Sequence, residues 1–170
     1  MSYSLLLANI NFQESGILLV VLCAIVGLLV AVYLVRSILK IKIENARMRE
    51  IAAAIEEGAK AYLNRQLASI SVIAGVLFAV LFWKLGSGTA LGFLVGAVCS
   101  LAAGFIGMRV AVLANVRTAQ GAVESRKAAL KVAFNGGAVT GLLVVGLALL
   151  STSLFNQGIF RWQGQSEALH

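Results

Sequence analysis

The chain has 170 residues, of which 12% are charged and 60% are hydrophobic, and its mean hydropathy is +0.93. A soluble domain carries about a quarter of its residues as charged side chains, so this composition excludes an ordinary soluble domain. The formal net charge of +7 would also suit a nucleic-acid-binding protein. The basic residues are confined to segments between apolar runs, however, which is the pattern of membrane topology. We therefore expect a lipid bilayer, and no nucleic acid, as the partner.

Four apolar runs are long enough to cross a membrane, and they cover residues 16–35, 67–83, 89–108 and 132–150. About 20 helical residues, each rising ~1.5 Å, span the ~30 Å hydrocarbon core. None of the four runs contains a Lys, Arg, Asp, Glu or His residue. One such charge at the centre of a span would cost about 3 kcal/mol on insertion. We predict an all-α membrane protein with four transmembrane helices in a bundle.

The basic residues predict how these helices are oriented. The segments that follow the first and third spans hold all but two of them, and only Lys84 and Arg161 lie elsewhere. The positive-inside rule therefore places both segments in the cytoplasm and both termini outside. We expect a multi-pass protein of the inner (plasma) membrane. The basic residues of the two segments are Arg36, Lys40, Lys42, Arg47, Arg49, Lys60, Arg65, Arg109, Arg117, Arg126, Lys127 and Lys131.

The two charged segments are predicted to be helical extensions of the spans. Between Arg47 and Gln66, apolar residues recur at spacings of three and four, while Glu56 and Lys60 form an i,i+4 pair on the polar side. We predict one long helix that enters the membrane directly; a helix lying on the lipid surface is the alternative. Residues 109–131 are also compatible with a helix, with Gly121 as the expected break. Residues 151–170 are expected to form an irregular tail.

Small residues mark the surfaces where the spans meet other helices. Gly92, Gly96, Ser100 and Gly104 follow one another at intervals of four in the third span, with Ala103 and Gly107 nearby. The fourth span carries Gly137, Gly141 and Gly146. Such residues allow helix backbones to approach closely in lipid. The partner helices could belong to this chain or to another.

The residues themselves predict no active site. The chain has no Asp, and its single histidine, His170, is the last residue. Glu56 and Glu57 are adjacent on a helix and so point about 100° apart, and Cys23 and Cys99 lie in apolar runs. Glu14, at the outer end of the first span, is the one candidate for a proton or cation site. We assign no catalytic, cofactor-binding or metal-binding residue.

Three stretches resemble the N-terminal part of the membrane-bound, ion-translocating inorganic pyrophosphatases. They are residues 51–66 at the entry to the second span, residues 107–119 leaving the third span and preceded by residues 92–100, and residues 133–141 opening the fourth. Their order and their positions relative to the spans make the resemblance specific. It covers residues 43–150 of the chain.

The resemblance implies a homodimeric enzyme of about sixteen helices that hydrolyses pyrophosphate with Mg²⁺, with K⁺ as a possible second cofactor, and pumps protons or sodium outward. It also implies a substrate site rich in Asp, because a polyanion bridged by divalent cations needs many carboxylates. This chain has no Asp. The resemblance therefore predicts an N-terminal fragment that is inactive alone and meets pyrophosphate only through the missing part.

Three functions remain open at this stage. The first is the four-helix segment of a pyrophosphate-driven pump, which needs the remaining helices or a homodimer partner. The second is a small independent transporter that uses Glu14 as its coupling carboxylate. The third is a non-catalytic interaction module that binds a full-length pump through Gly96 and Gly104.

Overall fold

A computed structural model of the chain describes the backbone of residues 3–167 and the side chains of residues 16–158. It contains four helices, α1 (Tyr3–Leu39), α2 (Ala46–Leu85), α3 (Ser87–Glu124) and α4 (Arg126–Glu167). Each contains a stretch long and apolar enough to span a membrane, and at most 17% of the most apolar window of any stretch is buried. Such exposed apolar surface is stable only in lipid. The prediction of four membrane-spanning helices is confirmed.

Helix α2 is the predicted long helix. It runs without interruption from Ala46 through the second span to Leu85. Its first turns pack against the last turns of α3, where Met48 and Ile55 of α2 face Val112 and Val116 across a shallow apolar crevice. Because α2 is continuous and this part of it packs on protein, the alternative of a separate helix on the lipid surface is wrong.

The connections between helices are short. Residues 40–45 join α1 to α2, Gly86 alone joins α2 to α3, and Ser125 alone joins α3 to α4. Gly86 has a φ of +85°, a backbone conformation that side chains disfavour. The break that was expected at Gly121, between α3 and α4, lies at Ser125. The Ser125 hydroxyl caps α4 by accepting from the Ala128 N–H at 3.1 Å.

The predicted irregular tail is a helix. Helix α4 continues through residue 151 to Glu167, so the expectation for residues 151–170 is wrong as far as that residue; the last three residues lie outside the described part. The polar side chains at the start of this stretch do not break the helix. The hydroxyls of Ser151 and Thr152 both donate to the Ala148 carbonyl oxygen at 2.9 Å, which satisfies them inside the helix.

The helices pack as an open bundle. Helix α4 contacts α1 and α3, α3 also contacts α2 and, less extensively, α1, and α1 and α2 do not meet within the described residues. The α3–α4 pair is therefore central, and α1 lies against one side of it. The buried cluster that joins these three helices consists of Ala31, Ile38, Ala103, Val110, Ala114, Val139 and Leu143.

The two charged connections lie at the same end of the bundle, which we call the charged end. The backbone N–H of Glu44, between α1 and α2, donates to Oε1 of Gln120 near the end of α3 at 3.3 Å. The side chain of Gln120 is 8% exposed, so it ties the two connections together. At the opposite end Trp83 is exposed beside Lys84, an arrangement typical of a membrane–water interface.

Candidate helix-packing interface

Helices α3 and α4 approach each other closely, and two glycines permit it. A Cβ atom on Gly107 would lie 2.9 Å from Cγ2 of Thr140, and one on Gly136 would lie 2.9 Å from Cβ of Ala114. Both distances are shorter than van der Waals contact, so no larger residue fits without separating the helices. The Thr140 hydroxyl also donates to the Gly107 carbonyl oxygen at 3.5 Å. Close backbones and a hydroxyl bond are the usual means of helix association in lipid.

The contact between α1 and α4 uses the same device. A Cβ atom on Gly146 would lie 2.9 Å from Cγ of Leu28 and 3.4 Å from the carbonyl oxygen of Ala24. On the facing helix, a Cβ atom on Gly27 would be in ordinary contact with Leu142 at 3.7 Å. Helix α1 is thus held against α4 by side chains that fill the space above a glycine.

The predicted small-residue stripe divides between two surfaces. Gly92 lies under the ring of Phe155, and Gly107 faces α4. Gly96, Ser100 and Gly104 are exposed, and a Cβ atom on either glycine would meet nothing within 4 Å. Four residues turn a helix by about 400°, so each step along the stripe moves about 40° round its surface, and Gly104 lies about 120° round α3 from Gly92.

The fourth span divides in the same way. Gly146 packs against α1, whereas Gly137 and Gly141 are exposed and have open space where a Cβ would be. Sequence reasoning overlooked Gly136, the adjacent glycine that makes the contact with α3. The sequence does carry a signal for the buried surface of α3. It is the series Ala103, Gly107, Val110 and Ala114, whose alternating steps of four and three stay on one face of the helix.

At the charged end, the described residues place few functional groups together. Glu56 and Lys60 of α2 and Arg109 of α3 line a small crevice, and the Arg109 guanidinium lies 5.6 Å from the ring centroid of Phe105. No group of three or more His, Cys, Asp or Glu side chains occurs among the described residues. With no Asp anywhere in the chain, these donors do not fit a Mg²⁺ site for a polyphosphate, which needs several oxygen ligands.

The other candidate residues are scattered. Cys23 is exposed and Cys99 is half-buried, and both are free thiols in different helices. The side chains of Glu14 and His170 lie outside the described residues. The proton or cation site suggested for Glu14 therefore stays a prediction.

Comparison with known proteins identifies the family. The model of the inorganic H⁺ pyrophosphatase family matches residues 25–168. The match therefore extends beyond residues 43–150, the range over which the sequence itself shows the resemblance. The chain is 49% identical over 134 residues to a K⁺-insensitive pyrophosphate-energized proton pump of Methanosarcina mazei. It is 51% identical over 135 residues to a second K⁺-insensitive proton pump of Moorella thermoacetica. It is 42% identical over 130 residues to a putative K⁺-stimulated pyrophosphate-energized sodium pump of Clostridium tetani.

These matches cover most of this chain but little of the relatives. The aligned regions are 78%, 77% and 76% of the chain and 20%, 20% and 19% of the respective relatives. The chain thus spans about a fifth of the length of the curated relatives that it matches, in their N-terminal portion. A family match over this much of the chain, with about half of the residues identical, shows that the chain belongs to the inorganic H⁺ pyrophosphatase family.

Proposed function

We propose that this chain forms the N-terminal four-helix part of a pyrophosphate-energized ion pump. The observation that carries the proposal is the identity of 49–51% to two proton pumps over 134 and 135 residues, together with the family match over residues 25–168. The two relatives near half identity are both named as proton pumps, so protons are the ion that we propose first. Sodium is the alternative, supported by the sodium pump at 42% identity.

The part played by this chain is structural. Its carboxylates do not fit a Mg²⁺–pyrophosphate site, so hydrolysis belongs to the segment of the pump that this chain does not include. Mg²⁺, and K⁺ in some members, would act there, and a homodimer would be the working assembly. The α3–α4 pair supplies a rigid, glycine-packed support. The long α2 extension would brace the cytoplasmic side, where we expect the charged end because of its basic residues.

Reconstitution tests the proposal. The chain is expressed alone, and together with the remainder of the M. mazei pump that follows its matched region. Membrane vesicles are then assayed for phosphate release and for vesicle acidification on addition of pyrophosphate and Mg²⁺. We expect both activities only when the two parts are present together. The M. mazei remainder alone is the matched control.

Two results would contradict the proposal in different ways. Phosphate release by the purified 170-residue chain would show that carboxylates outside an Asp-rich site can support hydrolysis. Failure of the two parts together, with both inserted in the membrane, would show that this chain does not serve as the N-terminal part of such a pump.

A further inference from the structure

The central α3–α4 pair has two sides, and only one of them is covered. Val110 of α3 and Val139 of α4 are 7% and 0% exposed, and both belong to the buried cluster with Ala31 and Ile38 of α1. Helix α1 therefore covers the side on which these valines lie. Helix α2 contacts only α3, and it does not extend over α4.

The opposite side of the pair carries small residues from both helices. Gly104 lies about 60° round α3 from Gly107, and Gly137 lies about 60° round α4 from Thr140, in the same rotational sense along each chain. Because α3 and α4 are antiparallel and meet at Gly107 and Thr140, equal rotations bring Gly104 and Gly137 to the same side. Gly141 lies on this side as well. We call Ser100, Gly104, Gly137 and Gly141 the open glycine face.

Nothing in the described structure occupies this face. All four residues are exposed, and a Cβ atom on any of its three glycines would meet no heavy atom within 4 Å. Towards lipid, a glycine in a helix has no packing benefit, and it costs about 1 kcal/mol of helix propensity relative to alanine. Two antiparallel helices that present glycines side by side form a shallow trough into which another helix backbone fits closely.

We propose that the open glycine face is the surface on which membrane helices from the rest of the pump dock. This inference rests on the proposed function and assigns the surface that joins the two parts. The occupant follows from the comparisons, because about four-fifths of each relative's length lies beyond the region that this chain matches. Those further residues must contact this part, and the glycine trough beside the rigid α3–α4 contact admits the closest approach.

Two other arrangements compete with this one. A second copy of the chain could occupy the face, in which case the isolated chain would self-associate through it. Alternatively, the rest of the pump could dock on α2, whose exposed Ser71, Gly75 and Ala79 also form a row at intervals of four. That row lies on a single helix at the edge of the bundle, and it lacks a neighbouring glycine line.

The test measures association between the two parts. The tagged 170-residue chain is co-expressed with the remainder of the M. mazei pump, and the remainder recovered with the tag from mild detergent is quantified. We expect Gly104→Leu and Gly141→Leu each to lower this recovery about tenfold, because the added side chain fills the trough. Gly104→Ala should retain most of it. Gly58→Leu, at an exposed glycine with open space outside the span, is the matched control.

A second measurement separates docking from folding. The melting temperature of the isolated chain in detergent should be unchanged or slightly raised in Gly104→Leu and Gly141→Leu, since neither position contacts another helix of this chain and leucine is the better helix former. Gly75→Leu tests the competing row on α2. If the wild-type chain recovers the remainder, and Gly104→Leu and Gly141→Leu recover it equally well, the docking surface is wrong while the proposed function stands. A loss of the remainder seen only in Gly75→Leu would lead to the same conclusion. Loss of self-association in Gly104→Leu and Gly141→Leu, with recovery of the remainder intact, would assign the face to a second copy. Failure of the wild-type chain to recover the remainder would instead refute the proposed function.

Discussion

Glycines in this chain have different roles according to their place on the helix surface. Gly136 and Gly137 are adjacent in α4, yet Gly136 faces Ala114 of α3 while Gly137 faces open space. The difference arises because neighbouring residues lie about 100° apart on a helix. Composition and spacing identified Gly137 and not Gly136 as a packing residue. Residue type alone therefore indicates that helices pack, while the rotation of the helix decides which glycine is in the contact.

This difference predicts opposite outcomes for two neighbouring substitutions. Gly136→Leu should lower the free energy of unfolding by about 1–3 kcal/mol, because the Ala114 methyl group has no rotamer that makes room and the helices must separate. Gly137→Leu should leave the stability of the isolated chain unchanged or slightly raised, since leucine is the better helix former. Reversible unfolding of the purified chain in mixed detergents measures both. Equal effects of the two substitutions would refute the assigned rotation of α4.

At the level of elements, the sequence was most informative about α2. The apolar positions between Arg47 and Gln66 predicted a helix continuous with the second span, and α2 is that helix. The pattern succeeds because spacings of three and four persist for several turns without a turn-forming residue. The sequence was least informative at residue 151 and beyond, where Ser, Thr, Asn and Gln resemble a loop by composition. The Ser151 and Thr152 hydroxyls donate to the Ala148 carbonyl oxygen in the preceding turn, so these polar residues are accommodated and α4 continues.

The start of α2 depends on one side chain. The Asn45 side-chain oxygen accepts from the N–H groups of Arg47 at 2.9 Å and Met48 at 3.4 Å. Asn45→Ala leaves both donors without this partner, and it should cost about 1 kcal/mol. Amide hydrogen exchange should then be about fivefold faster in the first turn of α2.

The control for this cap is Asn64→Ala, which removes an exposed asparagine from the middle of the same helix. It should leave exchange at the first turn unchanged, and Asn45→Asp should restore slow exchange because aspartate caps equally well. Fast exchange at the first turn in all three variants would show that the cap does not hold the helix start.

For the whole molecule, the sequence predicted the number of spans but not their neighbours. The absence of charge from four runs was sufficient to locate the spans. The arrangement, in which α4 packs on both α1 and α3 while α2 stays at the edge, depends on contacts such as Gly146 with Leu28 that only the structure shows. The small-residue pattern could not assign partners, because the same residue types serve packing inside the chain and on the open glycine face.

The orientation of the molecule in the membrane gives the last prediction. Both charged connections lie at one end, and from the distribution of Lys and Arg we predict that this end lies in the cytoplasm. Single cysteines are introduced as Ser87→Cys and Ser125→Cys in a chain whose Cys23 and Cys99 are changed to Ala. A membrane-impermeant maleimide applied to intact cells should label position 87 and not position 125.

Permeabilised cells provide the control, since both positions should be labelled there if both are exposed to water at their ends of the bundle. The α2–α3 and α3–α4 connections are each a single residue long, so the two reporters lie at opposite ends of the same helix. Their labelling must therefore be reciprocal in a chain that inserts in one direction. Labelling of position 125 alone in intact cells would invert the orientation and move the basic residues outside. It would also place the long α2 extension on the side away from cytoplasmic pyrophosphate, which is incompatible with the bracing role proposed for it.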